Sequence, residues 1–376
     1  MPYLSADRSK KMPKNKISKE KSIRRTKTLT ELFVCCIILA SAGYVVKNGI
    51  DNMQSVPSSQ NTDNSGYEIE IPEPTEPDPN KIVFVSVPFN TKDKFSGNLI
   101  LVNNQHEYFS SENENLVSIM EKNDETERSF FTSVDYTYTI LEPVYEPMAQ
   151  MIEDFYEIYE NDTLIIYGSY RTKDFQQQLY DNFTASQSDD EAPIVAMPGF
   201  SEHETGYAFD FSEIINYDYQ GTGDFEWLNT NCYKYGFIIR YAEDKENITE
   251  YRYEPWHFRY VGIPHATFMT RNNICFEEYI NLLRMKYPYE GEHLQLTDDD
   301  GANYEIYFVA SDDSSEITNV PVPTGVRYDI SGNNVDGFII TVHTDEKVNF
   351  GEENPTITTA TETDISETET TTTTIE

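Results

Sequence analysis

The sequence is poor in cysteine and tryptophan, and the shortage of cysteine limits the sites it can build. Four Cys and two Trp occur in 376 residues. Cys35 and Cys36 lie in an apolar run, where a vicinal pair is a poor disulfide, and Cys232 and Cys275 are isolated from each other in sequence. This pattern disfavours a disulfide framework and a cysteine-rich structural zinc site, so we predict that Cys232 and Cys275 are free thiols.

Basic residues are scarce beyond the first 31 positions. Residues 1–31 carry ten Lys or Arg and three Asp or Glu, so their net charge is +7 and the rest of the chain carries −44. Such an acidic body offers no basic surface to nucleic-acid phosphates, and we predict no nucleic-acid partner. Residues 1–28 are predicted to be a basic cytoplasmic tail; the rival interpretation is a nucleic-acid-binding arm.

An apolar run at residues 32–46 follows the basic segment. It is slightly shorter than the roughly 20 residues of a full membrane span, but Tyr44 and Lys47 can lie at the far interface. We predict a transmembrane anchor at residues 29–50 and a single-pass protein of the cell membrane, with the body of the chain extracytoplasmic. The sequence Ala-Ser-Ala at residues 40–42 leaves open a cleaved signal peptide and secretion.

The rest of the chain divides into four segments that differ in composition and predicted structure. Residues 51–80 are rich in Pro, Ser and Glu and are predicted to be a disordered linker. Residues 81–290 are predicted to be one folded domain, residues 291–344 a small all-β appendage of short strands between turns, and residues 345–376 a disordered Thr/Glu-rich tail. Within the domain, apolar spacing predicts helices at 142–159, 173–183, 226–235 and 266–287, and strands at 98–103 and 164–168.

Two segments concentrate the residue types that bind metals. They are PGFSEHETGYAFDF at residues 198–211 and YEPWHF at residues 253–258. His203, Asp210 and His257 match the three protein ligands of a catalytic zinc site, which leaves its fourth position to water. Glu254 can lie beside the metal without binding it, and the chain contains no HExxH helix motif. We therefore predict a Zn²⁺ site with a free carboxylate next to it.

Local sequence patterns place this site on strand and loop. Aromatic and small residues alternate from Tyr207, a period typical of a strand, so Asp210 shares a face with the small Ala208. Pro255 disfavours a helix around His257. Glu202, two residues after Phe200, is predicted to be a solvated carboxylate or one that supports a ligand.

The two motifs resemble those of a known family. Ser-x-His-x-Thr-Gly-x-Ala-x-Asp followed by Glu-Pro-Trp-His resembles the VanY-type D-alanyl-D-alanine carboxypeptidases, which are zinc peptidases of bacterial cell walls, and the resemblance covers roughly residues 97–289. It implies an α+β fold of the Hedgehog/DD-peptidase type, in which a small antiparallel sheet with flanking helices carries the zinc. Residues 81–290 would then be the zinc DD-carboxypeptidase domain.

The resemblance extends to a strand-to-helix turn. Tyr170, Arg171 and Gln176 match the family's Ser-Gly-Tyr-Arg segment with Gln five residues on, although the first two residues are exchanged here to Gly-Ser. It implies that Arg171 binds the substrate carboxylate or the scissile carbonyl, a role suited to the guanidinium fork. Gln176 and Ser201 are taken as further substrate-binding residues.

The predicted function follows from the resemblance. Zinc would make hydroxide available near neutral pH, Glu254 would act as general base, and Arg171 would help to stabilise the oxyanion. The expected substrate is the D-Ala-D-Ala end of peptidoglycan stem peptides, with release of the terminal D-Ala at the outer face of the membrane. Alternatives are a D,D-dipeptidase, an L-Ala–D-Glu endopeptidase and a non-catalytic wall-binding surface protein. The oligomeric state is left open.

Overall fold

The computed structural model describes residues 82–109, 115–186, 195–215 and 217–348. All of them belong to one unit, Pro77–Glu376. The predicted basic tail, membrane anchor and linker lie outside the described residues, as does nearly all of the predicted Thr/Glu-rich tail. Among the described residues, no helix is long and apolar enough to cross a membrane.

A mixed five-stranded sheet forms the centre of the domain. Its strand order is β3-β5-β6-β8-β7, and every pairing is antiparallel except the parallel pair β3–β5, so the predicted all-antiparallel sheet is wrong at this edge. Strands β2 and β4 form a separate pair. The strands are β2 (Leu116–Ser118), β3 (Thr132–Ser133), β4 (Thr139–Leu141), β5 (Leu164–Gly168), β6 (Ala208–Glu213), β7 (Phe237–Ile239) and β8 (His257–Tyr260).

Seven α-helices occur among the described residues. They are α1 (Ile119–Glu125), α2 (Glu142–Tyr159), α3 (Lys173–Ser186), α4 (Glu226–Asn231), α5 (Glu246–Thr249), α6 (Ile263–Asn272) and α7 (Phe276–Lys286). Helix α2 has the predicted bounds because Pro143 favours its first turn and Glu160 ends it in a left-handed conformation. Its apolar face packs with Phe209 and Phe211 of β6 in one buried cluster, which fixes β6 in the middle of the core.

The C-terminal part of the described chain consists of strands, and together with one strand from the beginning of the described chain they are called the β unit here. Strands β9 (Leu294–Thr297), β10 (Asn303–Ala310), β12 (Val326–Gly332) and β13 (Gly337–Lys347) form an antiparallel sheet in the order β12-β13-β10-β9. Strand β11 (Ile317–Thr324) pairs instead with β1 (Val83–Asn90). Phe89 packs with Val320 and Phe338, so residues 83–90 pack with the strands of the β unit.

Two further predictions within the domain are wrong. Residues 98–103 do not form a strand: Leu99 and Leu101 are buried as expected, but their backbone N–H groups bond to Ser331 and Asn333 in the β unit. The predicted helix 266–287 is two helices, α6 and α7, because Asn273 takes a left-handed conformation at φ 49° and reverses the chain between them.

Candidate active site

Pairing of β6 with β8 brings two of the predicted ligands together. Asp210 and His257 are directly opposite each other in the antiparallel register. His203 comes from a 3₁₀ helix, Glu202–Thr205, that leads into β6. One potential ligand atom from each of these three residues lies within 4.8 Å of the other two. The structure therefore brings together all three residues that the sequence predicted as metal ligands.

Two glycines make room for this arrangement. A Cβ atom on Gly168 would lie 2.1 Å from Oδ2 of Asp210, so only glycine lets the aspartate occupy this position. Gly206 ends the 3₁₀ helix at φ 73°, a left-handed conformation that glycine adopts without strain. The turn at Gly206 separates His203 from the strand that carries Asp210.

The two imidazole rings are held in complementary orientations. His203 directs Nε2 towards Oδ2 of Asp210 at 3.2 Å, and its Nδ1 lies 2.9 Å from the carbonyl oxygen of Ser169. His257 directs Nδ1 towards Oδ1 of Asp210 at 2.9 Å. Each ring thus turns one nitrogen to the shared centre and uses the other for a hydrogen bond, which is how metal-binding histidines are usually oriented.

The protonation of the two rings differs. Burial and the nearby Arg171 lower the pKa of His203 to about 4, so its Nε2 keeps a free lone pair at neutral pH. Burial also disfavours a charged His257, but Asp210 and Glu202 together outweigh it and raise the pKa of His257 to about 9. His257 therefore binds a metal only after it loses this proton. Two imidazole nitrogens and one carboxylate, all largely buried, form a donor set that fits Zn²⁺.

Behind His257 lies a buried charge network that the sequence analysis did not identify. Oε2 of Glu202 is 3.3 Å from His257 Nε2, while its Oε1 accepts hydrogen bonds from Nε of Arg240 at 2.8 Å and Nη1 of Arg259 at 3.1 Å. Arg240 also forms a two-pronged ion pair with Glu277. Glu202 is 1% exposed, so it is a buried support for His257 and not a solvated carboxylate.

Glu254 is the carboxylate that borders the metal ligands without being one of them. It lines the same cavity as His203, Asp210 and His257 and is 8% exposed. Burial raises the pKa of Glu254 to about 7, although the neighbouring His257 acts in the opposite direction. A carboxyl group that exchanges a proton near neutral pH is suited to general acid–base catalysis.

The predicted substrate-binding residues occupy three different positions. Arg171 borders the cavity and lies 3.4 Å from both Asp210 Oδ2 and Gln176 Oε1. Ser201 also lines the cavity, and it is 5% exposed. Gln176 does not line it: it is 1% exposed, and its amide donates to the carbonyl oxygen of Ala196. Its contacts make Gln176 a support for Arg171 and not a direct contact of the substrate.

The cavity has a volume of about 260 Å³ and is walled by Tyr241, Tyr251 and Trp256 in addition to the charged groups. A candidate metal centre beside a carboxylate with a raised pKa and an arginine is an arrangement suited to the hydrolysis of an acyl bond.

Comparisons with known proteins identify the family. The model described as "VanY: D-alanyl-D-alanine carboxypeptidase" matches residues 141–263. The chain is 31% identical over 261 residues to a D-alanyl-D-alanine carboxypeptidase of Enterococcus faecium, covering 67% of this chain and 80% of the relative. This chain belongs to the VanY family of D-alanyl-D-alanine carboxypeptidases, which confirms the family predicted from the two motifs.

Two further relatives cover different shares of the chain. The bifunctional D-Ala-D-Ala dipeptidase and D-Ala-D-Ala carboxypeptidase VanXYC of Enterococcus gallinarum is 36% identical over 132 residues, which cover 33% of this chain and 69% of the relative. The solved structure of the vancomycin resistance D,D-dipeptidase VanXYg, in complex with a D-Ala-D-Ala phosphinate analog, superposes with a TM-score of 0.60 at 28% identity. It covers 69% of this chain and 99% of that chain.

Proposed function

We propose that this chain is a zinc-dependent D-alanyl-D-alanine carboxypeptidase that removes the terminal D-Ala from peptidoglycan stem peptides. The observation that carries the proposal is the convergence of His203, Asp210 and His257 within 4.8 Å, in one cavity with Glu254 and Arg171. Membership of the VanY family supports the reaction class, and the donor set supports zinc.

Each residue of the cavity has its own role in the proposed reaction. A zinc ion held by the three ligands would supply Lewis-acid polarisation of the scissile carbonyl and a lowered pKa for water. Glu254 accepts the proton of the attacking water and returns it to the departing amine of D-Ala. Arg171 places a fixed positive charge at the rim of the cavity, where it binds the substrate carboxylate or the developing oxyanion.

A D,D-dipeptidase is the second candidate function. It is favoured by the relatives VanXYC and VanXYg, whose names include this activity, and by the small volume of the cavity. The two functions differ in the substrate that is cleaved faster. Parallel rate measurements on free D-Ala-D-Ala and on a stem pentapeptide separate them.

The test is mass analysis of a muropeptide pentapeptide after incubation with the zinc-loaded protein and with its Glu254→Ala variant. Loss of one alanine mass with the wild type, and no loss with a variant that still holds zinc, is expected. Cleavage between L-Ala and D-Glu would support the endopeptidase alternative. No cleavage of any bond by a metal-loaded wild type would support a non-catalytic wall-binding protein and overturn the proposal.

The place of action is a proposal of its own. The basic segment at residues 1–28 and the apolar run at residues 32–46 support an anchor with the peptidase outside the membrane, where stem peptides are found. When protease is added to intact cells, it should digest the folded part of the chain, and in untreated cells the protein should be found in the membrane fraction. Recovery of the protein from the culture medium would favour the cleaved signal peptide instead.

A further inference from the structure

A second cavity lies next to the candidate active site. It has a volume of about 560 Å³, roughly twice that of the catalytic cavity, and the two share Arg171 and Leu179 as lining residues. We call it the aromatic trough, and its walls include Tyr138, Tyr167 and Phe175. Because the two cavities share these two residues, the trough is adjacent to the space beside the candidate metal ligands.

The trough displays aromatic side chains to solvent. Tyr167 is 52% exposed and Phe175 is 49% exposed, although Tyr167 belongs to β5, whose other four residues are buried. Exposed single apolar residues are ordinary, but exposed aromatic rings gathered around one concave surface are typical of a binding site. Thr137 and Thr139 lie on the same lining, and the hydroxyl oxygen of each can accept a hydrogen bond from a peptide N–H.

The charge of the trough contrasts with that of the chain. The protein has a net charge of −37, but none of the described residues that line the trough is an Asp or Glu, and Arg171 is its one charged group. The nearby carboxylate of Asp135 is bound by the hydroxyl and backbone N–H of Thr137. This local absence of negative charge suits an anionic ligand, and a stem peptide carries a carboxylate on the D-Glu residue that precedes its D-Ala-D-Ala end.

Backbone hydrogen bonds connect the trough rigidly to the metal ligands. The N–H of Tyr170 donates to the carbonyl oxygen of Thr139 at 3.0 Å, and the N–H of Arg171 donates to the carbonyl oxygen of His203 at 3.1 Å. Phe175 lies in the first turn of α3, where its N–H bonds to Oγ1 of Thr172 at 3.2 Å. The distance from the trough to the reacting bond is therefore fixed before substrate binds.

We propose that the aromatic trough binds the stem-peptide residues that precede D-Ala-D-Ala and thereby makes the enzyme selective for long substrates. This inference rests on the proposed function and adds a substrate-length determinant to it. Tyr167 and Phe175 supply the apolar contact, and the threonine hydroxyls bind the peptide backbone. A free dipeptide fills only the catalytic cavity and gains nothing from the trough.

The test compares two substrates in the full-length zinc-loaded protein: a stem pentapeptide and N-acetyl-D-Ala-D-Ala. In the double variant Tyr167→Ser, Phe175→Ser, kcat/KM on the pentapeptide should fall roughly ten-fold or more, mainly through KM. On the short substrate, kcat/KM of the double variant should stay within about two-fold of the wild-type value. The variant Ile158→Ser, at a 55% exposed position of α2 that lines neither cavity, is the matched control and should change neither rate.

Each outcome has a definite meaning. Equal kcat/KM of the double variant and wild type on the pentapeptide overturns the inference but leaves the proposed function intact. Failure of the wild type to cleave the pentapeptide overturns the proposed function itself. If the short substrate is not cleaved, inhibition of pentapeptide cleavage by the tripeptide L-Ala-D-Glu-L-Lys replaces it as the second measurement. The tripeptide should inhibit the wild type competitively and should not inhibit the double variant, and equal inhibition of both would overturn the inference. Release of D-Ala from polymeric peptidoglycan is measured as well. If the double variant is slower than the wild type on this polymer alone, the trough binds a glycan strand and the inference is contradicted.

Discussion

Replacing Glu202 with glutamine tests whether a buried carboxylate holds His257 in its metal-binding form. Oε2 of Glu202 faces His257 Nε2, and Oε1 accepts from Arg240 and Arg259. Glutamine has one oxygen and one NH₂ group, so it cannot accept on both sides. If its oxygen meets the two arginines, its NH₂ meets His257 and favours the tautomer with the proton on Nδ1, the nitrogen that faces Asp210.

The magnitude follows from the charges and contacts of the network. Two arginines and two glutamates balance in the native protein, and Glu202→Gln leaves one buried positive charge without a partner. Breaking a buried pair in this way costs about 3–5 kcal/mol of unfolding free energy, or roughly 10 °C in Tm for a unit of this size. Loss of a carboxylate that supports a histidine ligand typically weakens metal binding about 10–100-fold.

Glu277→Gln is the matched control. Glu277 pairs with Arg240 in the same network, so its replacement should lower Tm by a similar amount, but its hydrogen bonds are to Arg240 and Asn103 and not to His257. Zinc affinity by competition with a chromogenic chelator should therefore fall for Glu202→Gln alone. Equal zinc affinity in the two variants would show that the network stabilises the fold without orienting the ligand, and would refute the reasoning.

Three further predictions concern individual residues. Glu254→Gln should reduce hydrolysis roughly 10²–10⁴-fold with bound zinc unchanged by metal analysis, and loss of zinc would contradict its role as a base. Gly168→Ala places a Cβ 2.1 Å from Asp210 Oδ2 and should weaken zinc binding in chelator titrations; normal affinity would mean that Asp210 is not a ligand. Burial lowers the pKa of His265 to about 3, so the unfolded chain takes up this proton first as pH falls. The contribution of neutral His265 to the free energy of unfolding is complete above pH ~6.5. It should fall by about 1.4 kcal/mol per pH unit below pH ~6. In urea titrations, the free energy of unfolding should fall less steeply with decreasing pH in His265→Gln than in the wild type. Identical slopes would show that His265 does not cause the loss of stability in acid.

The three candidate metal ligands could be picked out from the sequence because local pattern and chemistry agree there. Alternation from Tyr207 predicted a strand, and that strand is β6 with Asp210 on it. The spacing of His203, Gly206 and Asp210 matched a turn followed by a strand. What the sequence did not contain is the register of β6 with β8, which decides that Asp210 and His257 are opposite each other. The family resemblance supplied that relation in place of a physical derivation.

The supporting network was missed because its members are ordinary charged residues of strands, turns and a helix. Arg240 and Arg259 follow or lie within short apolar strands, where an isolated arginine predicts an exposed side chain. Both are fully buried, at 1% and 0% exposure. Glu202 next to a predicted ligand was the one available signal, since buried ligands need hydrogen-bond partners behind them.

The fold differences have a common physical origin in long-range contacts. Residues 83–90 pair with residues 317–324, more than 220 positions away, and nothing in the local sequence selects that partner. Residues 98–103 have a strand-like apolar pattern, but their backbone bonds to the β unit in place of a neighbouring strand. Periodicity predicts which residues are buried more reliably than it predicts which elements they pair with.

The pairing of β1 with β11 also has a mechanical consequence. The first described strand, β1, and the last one, β13, both belong to the β unit. The chain forms the five-stranded sheet of the candidate active site between them. A pull applied to the chain at residue 82 and at residue 348 would load the ladders of the β unit first. The strands that carry His257 and Asp210 belong to a different sheet, so we expect the tension to reach them only after the ladders of the β unit open.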